Sequence, residues 1–136
     1  MTPETIKLVQ SSWTKVTPIS SQAAAIFYDE LFTRDPAVRK LFKGDMVKQG
    51  EKLMQMIGVA VSKLNEPAIL IPALQSLGER HVGYGVMDSH YDTVGAALLA
   101  TLEKGLGPAF TPDVRKAWTE VYGVMTQVMT AIAKAA

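Results

Sequence analysis

The chain has no cysteine and only two histidines, His81 and His90. Without thiols there is no disulfide, no iron–sulfur cluster and no thiolate zinc site. Any metal bound through nitrogen must be held from ERHVGYGVMDSHY, residues 79–91, where both histidines lie. A surplus of either charge is missing too: 14 Lys and Arg against 13 Asp and Glu leave a formal net charge of +1. No basic cluster stands out, so no nucleic-acid partner is expected. No apolar run approaches the ~20 residues that cross a bilayer, so no membrane partner is expected either. The N-terminal MTPETIKLVQ has the form of neither a signal peptide nor an arginine-rich transit sequence. A cytoplasmic location is the expectation, and the absence of cysteine fits a reducing compartment.

What is present is helical periodicity. The 136 residues, 48% of them hydrophobic, suit one domain over 1–136 that buries roughly two thirds of its unfolded surface. Three helix starts carry the same signal, a capping side chain followed by proline: Thr2-Pro3, Asp35-Pro36 and Thr111-Pro112. Proline suits the first helical position because its missing N–H needs no partner there, and Thr or Asp accepts from a free N–H. Behind the first start, Ile6, Val9, Trp13 and Val16 recur at three- and four-residue spacing, and Ala24, Phe27, Tyr28, Leu31 and Phe32 repeat the pattern.

Asp35-Pro36 ends that second helix and opens a short one to Phe42, with KGD (43–45) as a corner. From Met46 to Leu64, Gln49, Leu53, Met56, Ile57 and Ala60 trace one face, and Asn65-Glu66-Pro67 breaks the chain. Pro72 is expected to divide the next segment, leaving a helix from about 72 to His81 that stops at Gly83 and Gly85. Two long helices, roughly 88–105 and 112–134, close the chain around GLGPAFTP. Strand alternation and internal repeats are absent. About seven helices with strong breaks predict an all-α domain of crossed helices rather than an up-down bundle. Trp13, Trp118 and Tyr122 read as helix packing.

The histidines do not read as a zinc pair. Nine residues and two glycines separate them, so one helical face cannot carry both, and no acidic residue completes a set. Taken singly, His81 continues the apolar stripe of Leu74 and Leu77. It suits a helix-terminal histidine satisfied by a backbone carbonyl. It equally suits haem, where one imidazole suffices because the porphyrin supplies the in-plane ligands. The residues alone leave both readings open.

The order of these signals resembles the globin family along nearly the whole chain. LGERH (77–81) is similar to the end of the proximal helix, FYDELF (27–32) with DPAVRKLF (35–42) to the second helix and its corner, and KQGEKLMQMIGVAV (48–61) to the distal helix. Residues 90–125 resemble the corresponding part of neuroglobin and of single-domain bacterial globins, among which the thermoacidophilic methanotroph type with a distal Tyr/Gln pair is nearest. The resemblance implies a globin fold, crossed helices around a haem pocket, with haem b (iron protoporphyrin IX) as cofactor. It makes His81 the proximal ligand to iron and Phe42 the ring that stacks on the haem. It places Gln49 at the distal position with Leu53 one turn on, and aims Tyr28 at the bound ligand. No distal histidine is present, so the second axial ligand of neuroglobin is missing. His90 becomes a packing or hydrogen-bonding residue. Ile57, Leu77, Val86, Tyr91 and Val94 are expected around the haem, and Lys52 and Arg80 beside its propionates.

The function implied is reversible, high-affinity binding of O₂, with CO and NO as further ligands. Bound O₂ carries partial negative charge, and the Tyr28 hydroxyl and Gln49 amide can each donate to it. A hydrogen bond to a charged acceptor is worth about 1.5–3 kcal/mol, so one donor could slow O₂ release by roughly 10- to 150-fold. An alternative is nitric-oxide dioxygenase or other redox detoxification with a separate reductase as partner, since no flavin or nicotinamide domain is expected here. A sensor is disfavoured for want of an output domain. Flavohaemoglobin-like globins surround the proximal histidine with a tyrosine and a glutamate. Tyr91 fits the first, whereas the second position holds Ala133, which implies weaker electron donation to the iron and less favoured O–O cleavage.

Overall fold

A computed structural model describes residues 1–135, without the side chains of Asp88 and residues 132–135. Ala133, which stands where a proximal glutamate is expected, therefore lies outside the described side chains. The described residues form six α-helices: α1 (Pro3–Val16), α2 (Ser20–Arg34), α3 (Met46–Ser62), α4 (Pro67–Gly83), α5 (Asp88–Leu106) and α6 (Pro112–Ala135). Three 3-10 segments, Thr17–Ile19, Pro36–Leu41 and Gly107–Ala109, join them. No strand occurs among the described residues, and no helix is long and apolar enough to cross a membrane.

Local chemistry sets most boundaries. The Thr2 hydroxyl accepts from the Thr5 N–H at 3.1 Å, and Thr111 accepts from Val114 at 3.2 Å. Asp45, in the KGD corner, accepts from Val47 at 2.9 Å and starts α3. Asp35 departs from the expected cap: its side chain makes no capping bond. Its backbone carbonyl accepts from Val38 instead, at 3.1 Å, which winds residues 36–41 into the tighter 3-10 form.

Pro72 is a clearer correction. It does not divide the segment, because α4 runs without a break from Pro67 to Gly83. The missing proline N–H frees only the carbonyl of Ala68, an exposed residue open to water. Leu70 and Leu74 are buried on either side and hold both halves of the helix to the core.

The core gathers Val9, Leu31, Leu102, Trp118 and Val121, each fully buried. Burying such a side chain contributes about 1.5–3 kcal/mol. Trp13 and Trp118 meet with ring centroids 5.9 Å apart, and the Trp118 indole N–H donates to Ser12 at 2.8 Å. Tyr122 donates to the Tyr91 carbonyl at 2.6 Å, fastening α6 to α5. The helices cross closely where glycine permits. A Cβ on Gly78 would lie 2.4 Å from the Met129 carbonyl oxygen, and one on Gly50 would lie 2.9 Å from the Ala24 Cβ. The first contact sets α4 against α6, and the second sets α3 against α2.

Candidate functional site around His81 and Tyr28

His81 lies in the last turn of α4, half-buried. Its Nδ1 is 2.7 Å from the Leu77 carbonyl, and since a carbonyl only accepts, Nδ1 carries the proton. The neutral tautomer then keeps its lone pair on Nε2, and that nitrogen has no hydrogen-bond partner among the described residues. Burial pushes the imidazole below its ordinary pKa. The Leu77 bond opposes that shift, and the charge of Arg80 adds to it.

The chain turns immediately after this histidine. Val86 donates its N–H to the His81 carbonyl at 3.0 Å, and Gly85 takes φ +85°, a left-handed conformation that suits glycine. The turn returns Tyr91 to His81, with ring centroids 6.3 Å apart and near-stacked planes. His90 is not directed at the pocket's histidine: its Nδ1 accepts from the Met87 N–H at 2.9 Å and caps the start of α5.

Tyr28, on α2, is 7% exposed. Its ring meets Phe42 edge-on at 5.3 Å, and the Gln49 side chain stands near enough to its hydroxyl to act on its charge. Burial raises the hydroxyl above its ordinary pKa, and Gln49 opposes the rise. The hydroxyl therefore stays protonated and able to donate.

The remaining expected residues sort by exposure. Phe42, Leu53, Ile57, Leu77, Tyr91 and Val94 pack against the buried core on one side and are half-exposed on the other, and Val86 is also half-exposed. Lys52 and Arg80 project into solvent, without an ion pair among the described residues. Two neighbours are absent from the sequence-based expectations. Phe32 stacks on Tyr28 at 5.8 Å, and its four-residue spacing from Tyr28 was the available signal. Tyr84, 61% exposed, brings its ring within 5.9 Å of the His81 ring, and it too was readable as three residues on from His81.

Residues 25–129 match the Globin family profile. The chain belongs to the globin family. It is 31% identical over 137 residues to the neuroglobin of Danio rerio, covering 90% of this chain and 86% of that one. It is 28% identical over 134 residues to the flavohemoprotein of Bacillus subtilis, and 28% identical over 130 residues to that of Xylella fastidiosa. Those matches cover 96% and 93% of this globin but only 34% and 32% of the flavohemoproteins, so it spans about a third of their length. Among solved structures, an engineered carbene transferase derived from a putative nitric oxide dioxygenase of Rhodothermus marinus superposes with a TM-score of 0.86. The identity is 26%, covering 99% of this globin and 95% of that chain.

Membership of the family implies haem binding, and the residues present fit such a group. A neutral imidazole offers one unpartnered nitrogen. α3, α4 and α5 carry half-exposed apolar side chains of the kind a flat apolar ring would cover. A protonated hydroxyl and an amide stand on the side of α3 and α2.

Proposed function

We propose that this globin holds haem b through His81 and binds O₂ reversibly and with high affinity, with CO and NO as further ligands. When bound, the haem would supply an iron centre that takes up diatomic gases. The observation that carries the reading is the His81 geometry. The bond from Nδ1 to the Leu77 carbonyl fixes the ring and its tautomer and leaves Nε2 free to ligate. The lowered pKa of His81 keeps that lone pair available near neutral pH. Tyr28 and Gln49 act as distal donors to negative charge on a gas ligand. Phe42, Leu53, Ile57, Leu77, Val86, Tyr91 and Val94 keep water away from the ring. Lys52 and Arg80 are the cations that would pair with its propionates.

Nitric-oxide dioxygenation is the second reading, favoured by the flavohemoprotein relatives and by the Rhodothermus marinus neighbour. In it, NO and O₂ combine to nitrate, with one electron returned by a separate reductase. Consumption of NO in the presence of a cellular reductant separates catalytic turnover from a single stoichiometric reaction. The primary test is the visible spectrum of the protein purified with haem. A Soret band is expected for the unchanged chain. His81→Ala should lose or shift it, and added imidazole should restore it. A chain without a Soret band sinks the reading.

A further inference from the structure

The turn between α4 and α5 is held by backbone bonds more than by packing. Val82, Tyr84 and Met87 are 52%, 61% and 63% exposed. A Cβ on Gly83 would meet nothing within 4 Å. Two adjacent amides tie the turn to both helices. Val86 donates to the His81 carbonyl at 3.0 Å, back to α4, and Met87 donates to His90 Nδ1 at 2.9 Å, on to α5. The Met87 carbonyl completes the second tie by accepting from the His90 N–H at 2.9 Å.

His90 is the third residue of α5, where the reciprocal cap of a helix start ordinarily uses Glu or Gln. Either of those keeps an acceptor in place throughout the neutral range. An imidazole keeps one only while it is neutral, because the bond from Met87 needs the lone pair on Nδ1 and hence the proton on Nε2. Protonation puts an N–H on both nitrogens, so Nδ1 would face the Met87 amide donor to donor. It also adds positive charge to the first turn of a helix, where the dipole favours negative charge.

We propose that His90 is a proton-sensitive latch on the turn that follows His81: neutral, it fastens Met87 to α5, and protonated, it leaves the turn bonded to α4 only. The turn then pulls on α4 through the His81 carbonyl without a counterweight on α5. What this does to an iron held by His81 rests on the haem-binding reading above, whereas the latch itself does not.

Several charged and titratable groups surround the turn. Asp88 and Asp92 lie within two residues of His90 on α5 and favour the protonated ring. Arg80 and His81 on α4 oppose it. So do Arg39 and Lys40 on the 36–41 segment, whose Leu41 would come within 3.8 Å of a Cβ on Gly85. Tyr84 in the turn and Tyr122 on α6 stay neutral hydroxyls, and none of the ion pairs among the described residues includes His90.

The test follows hydrogen exchange of the Met87 amide by NMR in the full chain, at pH ~8 and pH ~5, the span in which histidine changes charge. After correction for the intrinsic rate, exchange should quicken roughly 2- to 30-fold at the lower pH, the range of one lost helix cap. His90→Gln keeps an acceptor that does not titrate, so its Met87 amide should be equally slow at both. His90→Ala, with no acceptor, should be fast at both. A Met87 amide indifferent to pH in the unchanged chain overturns the latch. The same response in His90→Gln overturns it too, and assigns the titration to another group around the turn.

In the haem-loaded ferrous protein, the iron–histidine stretch seen by resonance Raman should move with pH in the unchanged chain and stay fixed in His90→Gln. A Met87 response without a Raman response overturns the coupling to His81. A missing Soret band overturns the haem reading alone, since the exchange measurement still decides the latch.

Discussion

With three phenylalanine rings at 5.2–5.8 Å and 7% exposure, Tyr28 has shed most of its water and retains the Gln49 amide as its polar partner. Such a hydroxyl has little competition from solvent when a negatively polarised ligand arrives. Tyr28→Phe keeps the ring and its contacts and removes only that donor. O₂ dissociation, measured by stopped flow, should accelerate roughly 10- to 150-fold, the equivalent of one charge-assisted hydrogen bond. CO dissociation should change less, because CO is less polarised. An unchanged O₂ rate would remove Tyr28 from the distal role. Two histidines and no cysteine narrowed the nitrogen ligands to a pair, and only the family resemblance singled out His81. Tyr28 and Gln49 were not legible from the residues alone: they stand on different helices, and only the family resemblance paired them before the structure did. His90 read as a bystander, and its bond to the Met87 N–H gives it a capping role.

The joint between α2 and α5 rests on a carboxylate shared by two cations. Glu30 pairs with Lys104 across the helices and with Arg34 one turn on, at 3.4 Å. The hydrogen bond from Lys104 holds its carboxyl below the ordinary carboxylate pKa, with the charges of Lys104 and Arg34 adding to it against desolvation. An unfolded glutamate takes up its proton near pH ~4.3. The folded one does so at lower pH, so the contribution is complete well above pH ~4.3 and is lost as pH falls through the folded value. Glu30→Gln should therefore melt below the unchanged chain at about pH 7 and converge with it as pH falls through the folded value, as monitored by circular dichroism. A gap that stays constant across this range would exclude the linkage. Salt should narrow the difference, because the cluster is exposed to screening. Helix starts at this scale were readable from Thr2 and Thr111 because a cap acts within one turn, whereas Asp35 makes no capping bond and Asp45, read only as part of a corner, does. Pro72 misled because its local cost is outweighed by burial of Leu70 and Leu74 against distant parts of the chain.

The whole molecule leaves apolar walls on α3, α4 and α5 half-exposed beside its core. A ligand that covers those walls in the folded chain, with no comparable site in the unfolded one, must raise stability by mass action. Haem titrated into the haem-free protein should raise the thermal midpoint progressively, reaching about 4 kcal/mol at roughly a thousandfold excess over its Kd. A midpoint insensitive to haem would place those walls outside cofactor binding. Sequence by itself determined the all-α class, most helix limits and the restriction of nitrogen ligands to two histidines, because caps, periodicity and residue counts act within a few residues or need no geometry. Tertiary structure alone decided the continuity of α4 through Pro72 and the groove between α2 and α3 that Tyr28 lines. Those depend on how closely helices cross, at Gly50 against Ala24 and at Gly78 against Met129, and a crossing distance is a property of two segments far apart in the chain.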